Sequence, residues 1–351
     1  MTGPSPFLSA ALVVLVAALI AVAAVYCARF RLPRPPVGTY TYPDMVVFFV
    51  VVVLAPLAYL QLPRPVVAGV FGLVLLCAVQ LALAPLIGGR PAWAVSAALC
   101  LATGAASLTG ATALVAVLTD VLLAAGVVAV TCLWAQSGMR SGHVALFAAL
   151  LAGYDLVATV TTTIMSRLFT EVRGLPFAPL FTLGDGAGGA VPVAMGLGDL
   201  MMLVLFPLVA RRSFGRPAGL VAALAGVAVT AVMSALFVTG VLAEGVPLLT
   251  VLGPVVVAQH LWWRATGHAE RRAAHHGPEP VAAAPGADAS LLAALAAPSS
   301  GEAWVAVHEG RVVGTGPTPG LARRSARENG CRALPLVHAG GDMAPIGPLA
   351  T

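Results

Sequence analysis

Lysine is missing from this chain. All 19 basic residues are arginine, against 14 acidic ones, and charged residues of either sign make up only 9% of 351 positions. With alanine, glycine and proline in excess, an all-arginine set reads as a coding bias. The net charge of +5 therefore points to no nucleic-acid partner. Cysteine is scarce too: Cys27, Cys77, Cys100, Cys132 and Cys331 are odd in number and widely scattered, which implies neither a disulfide framework nor a zinc site. What fills the chain instead is apolar. Hydrophobic residues reach 59% and mean hydropathy +0.95, values that exclude an ordinary soluble domain and indicate a polytopic membrane protein.

Runs long enough to cross about 30 Å of hydrocarbon lie near residues 7–27, 45–61, 66–87, 92–108, 111–134, 143–166, 192–210, 218–241 and 246–263. This predicts nine transmembrane helices in an all-α membrane domain over residues 1–263. The first run has no basic residues before it and Arg29, Arg31 and Arg34 after it, so it reads as a retained span with its N-terminus outside rather than a signal peptide. The weakest division is at Ser107-Leu108-Thr109-Gly110; if it fails, two spans fuse and every later orientation flips. With nine spans, the connections on the inner side hold eleven arginines against three outside, a positive-inside bias. Trp262-Trp263-Arg264 closes the ninth span as an interfacial belt, and the C-terminus is cytoplasmic.

After Arg264 the composition changes. Residues 264–300 read as a flexible linker rich in Ala, Pro, His and Gly. Residues 301–351 read as a small α+β or partly disordered tail: a hairpin around Glu309-Gly310, a short helix over Leu321–Asn329 and a strand over Ala333–His338. No chemistry is assigned to it.

Against this background an intramembrane acid needs a reason, because placing Asp near a bilayer centre costs about 2.5–3.5 kcal/mol. Asp155, preceded by Tyr154, falls about halfway along the sixth run, and Asp199 about seven residues into the seventh. Antiparallel neighbours at comparable depth bring two carboxylates together, and a close pair in low dielectric holds one proton between them. That is the state in which one carboxylate takes a proton from water while the other, as an acid, polarises a peptide carbonyl. Gly196 and Gly198 clear space beside Asp199. Tyr154 brings a hydroxyl, and Pro247-Leu248-Leu249 opens the ninth span on the same side, where irregular backbone can pair with an extended substrate.

Tyr154-Asp155, Gly196-Leu197-Gly198-Asp199 and Pro247-Leu248-Leu249, on the sixth, seventh and ninth spans, resemble the three signatures of the presenilin and signal peptide peptidase family of GxGD intramembrane aspartyl proteases. The YD and GxGD motifs match in full. The family's Pro-Ala-Leu is matched as Pro-Leu-Leu, with Leu248 in place of Ala. The resemblance implies a prokaryotic member in a plasma membrane, with a presenilin-like nine-helix fold and the signal peptide peptidase orientation. It implies Asp155 and Asp199 as catalytic residues, Tyr154, Gly196, Leu197 and Gly198 as their support, and Pro247, Leu248 and Leu249 as substrate-binding. Partners are then transmembrane peptide substrates of type II or signal-peptide kind and the lipid bilayer, with no cofactor and no metal; the oligomeric state is left open.

Other residues have plainer readings. Asp120, a third intramembrane acid, matches no motif and reads as hydrogen-bonded to a nearby threonine or placed near the outer interface. Gly184–Gly189 lacks the lysine of a phosphate loop and reads as an outside loop. His260 reads as interfacial, and His275-His276 as a solvated pair in the linker. Two alternatives remain: a proton-coupled transporter relaying through Asp120, Asp155 and Asp199, and a prepilin-peptidase-like GxGD protease.

Overall fold

A computed structural model describes residues 6–32, 40–160, 162, 164–172, 174–184, 193–241, 248–268, 270, 303–308, 311–316, 319–328 and 336–339. The chain divides into two compact units, Met1–Arg272 and Ala273–Thr351.

The first unit is helical. Its elements are α1 (Pro6–Arg29), α2 (Tyr42–Tyr59), α3 (Arg64–Ile87), α4 (Gly89–Leu108), α5 (Thr112–Gln136), α6 (Ser141–Val160), α7 (Ile164–Val172), β1 (Leu180–Leu183), β2 (Val193–Gly196), α8 (Leu197–Phe214), α9 (Arg216–Val238) and α10 (Leu248–Ala265). Among the described residues seven helices, α1 to α6 and α9, are long and apolar enough to cross a membrane. They present apolar residues outward, such as Val46, Val47, Val50 and Leu54 on α2, as helices do where lipid is the solvent.

Nine such helices were expected. The two that fall short, α8 and α10, both carry polar residues that lipid would reject; α8 is in addition wrapped in protein, whereas α10 keeps Val251, Leu261 and Trp262 exposed. On α8 every residue from Met202 to Ala210 is buried, and a helix buried on all faces needs no lipid-facing stripe. Its charges are Asp199, Arg211 and Arg212, and the Arg212 guanidinium donates to the carbonyl of Ala135 at the end of α5. Gln259 and His260 dilute α10, and both are buried.

The doubtful division holds. α4 stops at Leu108, Gly110 takes a left-handed φ of 71°, and the N–H of Ala111 bonds back to the carbonyl of Ala106 at 3.0 Å, a glycine-type helix stop. Two other boundaries move. The sixth run divides into α6 and α7 at a run of threonines, where the Thr162 hydroxyl donates to the Ala158 carbonyl at 2.6 Å; such back-bonding and β-branching weaken a helix. The seventh run begins as a strand: β2 pairs antiparallel with β1, Leu180 opposite Gly196 and Leu183 opposite Val193, and the helix starts only at Leu197.

Helices α6, α8 and α10 pack together, and a polar network ties them at one end. The Ser141 hydroxyl and His260 Nδ1 share a hydrogen bond of 2.9 Å, and the Ser213 hydroxyl accepts the Ser141 N–H at 3.2 Å and donates to Glu270 at 3.3 Å. His260, placed at an interface by sequence, is thus a buried link. Midway along, α10 lies almost on the backbone of α6. A Cβ on Gly253 would come within 2.6 Å of the Ala152 methyl and 2.8 Å of the Ala148 carbonyl oxygen.

In the second unit, β3 (Ala303–His308), β4 (Arg311–Gly316) and β5 (Leu336–Ala339) form an antiparallel sheet ordered β4-β3-β5. Helix α11 (Pro319–Glu328) rests on it at Gly314, where a Cβ would lie 2.5 Å from the Ala326 nitrogen. The described core is Ala306, Ala322 and Ala326.

Candidate active site

Helix α8 starts where the ladder with β1 ends. Gly196 is the N-cap, with φ −66° and ψ 148°, and Asp199 is the third helical residue. The sequence put Asp199 well inside its span; here it stands in the first turn, where unpaired backbone N–H groups favour a carboxylate. The side chain turns back on the cap, where the Gly196 N–H faces the carboxylate, the arrangement of half a capping box. A second backbone N–H close to the carboxylate is that of Leu249, in the first turn of α10. One carboxylate therefore sits at the starts of two helices.

Asp155 projects from the later half of α6 and lies within electrostatic range of Asp199. The packing just described sets this approach. Ala152 and Gly253 touch three residues before Asp155 and four after Leu249, so the contact between small residues fixes both the acid on α6 and the donor on α10.

Gly196 is closely fitted: Asp199 Oδ2 lies 3.2 Å from the position a Cβ would take, so a methyl there would press on the carboxylate. Gly198 is exposed, and a Cβ there would meet no atom among the described residues, so the space beside Asp199 opens on that side. The Leu197 N–H donates to the Pro179 carbonyl at 3.0 Å, closing the ladder. The Tyr154 ring packs edge-on against Phe49 of α2, centroids 6.4 Å apart, which anchors α6 to α2 beside Asp155. Leu248 and Leu249 are buried at the start of α10. Pro247, Gly186 to Gly189 and His275-His276 lie outside the described residues.

Three features escaped the sequence reading. Asp120 Oδ1 accepts the backbone N–H of Thr182 in β1 at 3.0 Å. Gly253 is the close-packing glycine between α6 and α10. The Thr250 hydroxyl, next to Leu249, is buried with no partner among the described residues; an unpaired buried hydroxyl is where a water or a substrate amide finds a partner. A glycine and a threonine in a membrane helix are too common to signal any of this.

Adding one methyl at Gly196 presses on Oδ2 and displaces the carboxylate by a few tenths of an ångström. If Asp199 is the reacting group, Gly196→Ala lowers kcat by about tenfold, since misplacements near 1 Å cost about a hundredfold. Initial rates at saturating substrate, beside a melting curve that stays close to wild type, check this.

No family model matches the chain, and it matches no curated protein and no solved structure.

Proposed function

We propose that this chain is an intramembrane aspartyl protease, similar in kind to the presenilin and signal peptide peptidase family, with Asp155 and Asp199 as its catalytic pair. The observation that carries the reading is the setting of Asp199: a carboxylate at the starts of two helices, within electrostatic range of a second carboxylate on a packed neighbour. A capping aspartate alone accounts for the bond to Gly196. It does not account for Asp155, an acid in an apolar helix beside it.

In this reading the pair shares one proton. The ionised member draws a proton from water as the oxygen attacks the scissile carbonyl, and the protonated member donates to the carbonyl oxygen. The resulting gem-diol collapses as the C–N bond breaks, the nitrogen taking a proton, and the pair returns to its starting state. Backbone N–H groups of Gly196 and Leu249 hold Asp199 in place throughout. The Thr182 N–H leaves the ladder for Asp120, so the backbone of Ala194, opposite it, also faces outward. That edge of β2 leads to Asp199, and an extended substrate adds to it as a further strand.

Counting α8 and α10 as spans gives nine, with the N-terminus outside and the C-terminus cytoplasmic, and type II segments or remnant signal peptides as substrates. The relay reading is weaker because Asp120, one of its three members, is already engaged with backbone.

A peptide isostere carrying a secondary hydroxyl in place of the scissile amide tests this. It is expected to bind the purified protein and to lose that binding in Asp155→Ala; equal binding to both would contradict the assignment.

A further inference from the structure

Asp120 is the single acidic residue of α5, and the catalytic pair makes no use of it. Its neighbour Thr119 is buried, and the Thr119 hydroxyl accepts the N–H of Phe177 at 3.3 Å. Asp120 accepts the N–H of Thr182 at 3.0 Å. Two consecutive residues of one helix thus take two backbone donors from the segment that leads to β2. Phe177 itself is held unusually, with φ 65°, a conformation uncommon for a bulky residue and kept only where the surroundings enforce it. Its ring lies over Gly72 of α3, within 3.1 Å of where a Cβ would stand.

The constraint passes on through the ladder. Thr182 stands opposite Ala194, Phe181 opposite Met195 and Leu180 opposite Gly196, and Leu197 closes onto Pro179 at 3.0 Å. Gly196 is the residue whose N–H and missing side chain set the Asp199 carboxylate. A two-stranded ladder of four residues per strand is marginal without support, and its outer N–H groups need partners where water is scarce. A carboxylate on α5 supplies one partner and ties the hairpin to the helix core.

We propose that Asp120 is a positioning residue for the proteolytic centre: by accepting the outer-edge N–H of Thr182 it clamps β1, and through the β1–β2 pairing it fixes Gly196 and the carboxylate of Asp199. The proposal rests on the protease reading. It asks only for a hydrogen-bond acceptor at position 120, not for a titrating acid.

The test uses the full chain in lipid vesicles, with Asp120→Asn, which keeps an acceptor oxygen, Asp120→Leu, which removes it, and Thr182→Pro, which removes the donor without breaking a ladder bond. Two quantities are read: amide hydrogen exchange of residues 180–183 and 193–198 without substrate, and kcat and KM for a membrane-segment reporter. Leaving one buried backbone N–H without an acceptor implies about tenfold. Asp120→Leu and Thr182→Pro should therefore speed exchange in both strands and lower kcat by about that factor, with KM little changed. Asp120→Asn should stay near wild type in both. The proposal is overturned if Asn behaves as Leu does, because the charge and not the acceptor then matters, or if exchange rises while kcat holds. A wild-type chain that cuts no reporter sinks the protease reading and the proposal with it. The exchange contrast separates that outcome from failure of the clamp, since it reads the hairpin without any substrate.

Discussion

Cleavage by Asp155→Ala and by Asp199→Ala should fall by about 10⁴-fold or more in each case, and the double variant should be no slower than either single one, because groups that act as a unit are lost as a unit. Alanine at 199 has a second effect. It also removes the acceptor for the Gly196 N–H at the start of α8, a capping loss of about 1 kcal/mol. Asp199→Asn separates the two, since an amide still accepts the N–H yet cannot take a proton from water. Asn at 199 is therefore expected to melt with the wild type and to be as inactive as Ala. A capping-only role for Asp199 gives the reverse: Asn active, Ala mildly impaired. Initial rates of reporter cleavage in vesicles, beside thermal unfolding of the same preparations, distinguish these.

Gly253→Leu should be the most damaging substitution away from the acids. A Cβ at that position already stands 2.6 Å from the Ala152 methyl and 2.8 Å from the Ala148 carbonyl oxygen, and neither a helix backbone nor a Cβ can swing aside. Helix α10 must move off α6, at a cost of about 1–3 kcal/mol for the forced repacking. The larger effect is on function. The Leu249 N–H, one turn before Gly253, leaves Asp199 as α10 shifts, and a displacement near 1 Å lowers the rate about a hundredfold. Gly253→Ala should show a smaller form of both effects. Adding Ala152→Gly relieves the methyl contact but not the carbonyl one, so partial rescue is expected, with a coupling energy of about 0.5–3 kcal/mol between the two sites. Detergent melting curves and reporter kinetics on the four corners of that cycle check it.

Several features could be read from residues alone. The lipid-facing helices were visible as apolar runs, and a single turn tetrapeptide ending in Gly110 was enough to separate α4 from α5, because a left-handed residue after a helix is a backbone demand that glycine meets. Asp155 and Asp199 stood out because a carboxylate in an apolar run is costly. The β1–β2 hairpin did not stand out. Val193-Ala194-Met195 is as apolar as the helix that follows it, and a short apolar run carries no period that tells strand from helix. So Asp199 was placed five residues too deep, since the run begins at 192 and the helix at Leu197. The fate of Asp120 was hidden for a related reason: its partner is a backbone N–H in that same hairpin, 62 residues on. In α8 the burial on every face was not legible, since hydropathy does not distinguish a helix wrapped in protein from one wrapped in lipid.

The most direct test of the central claim is to place the purified wild-type chain in lipid vesicles with a panel of type II membrane-segment reporters and weigh the products. The account predicts a cut within the membrane segment of at least one reporter, giving two fragments whose masses sum to the substrate plus one water. Intact reporters throughout, in vesicles where the same protein moves protons or solute in response to a pH gradient, would contradict it.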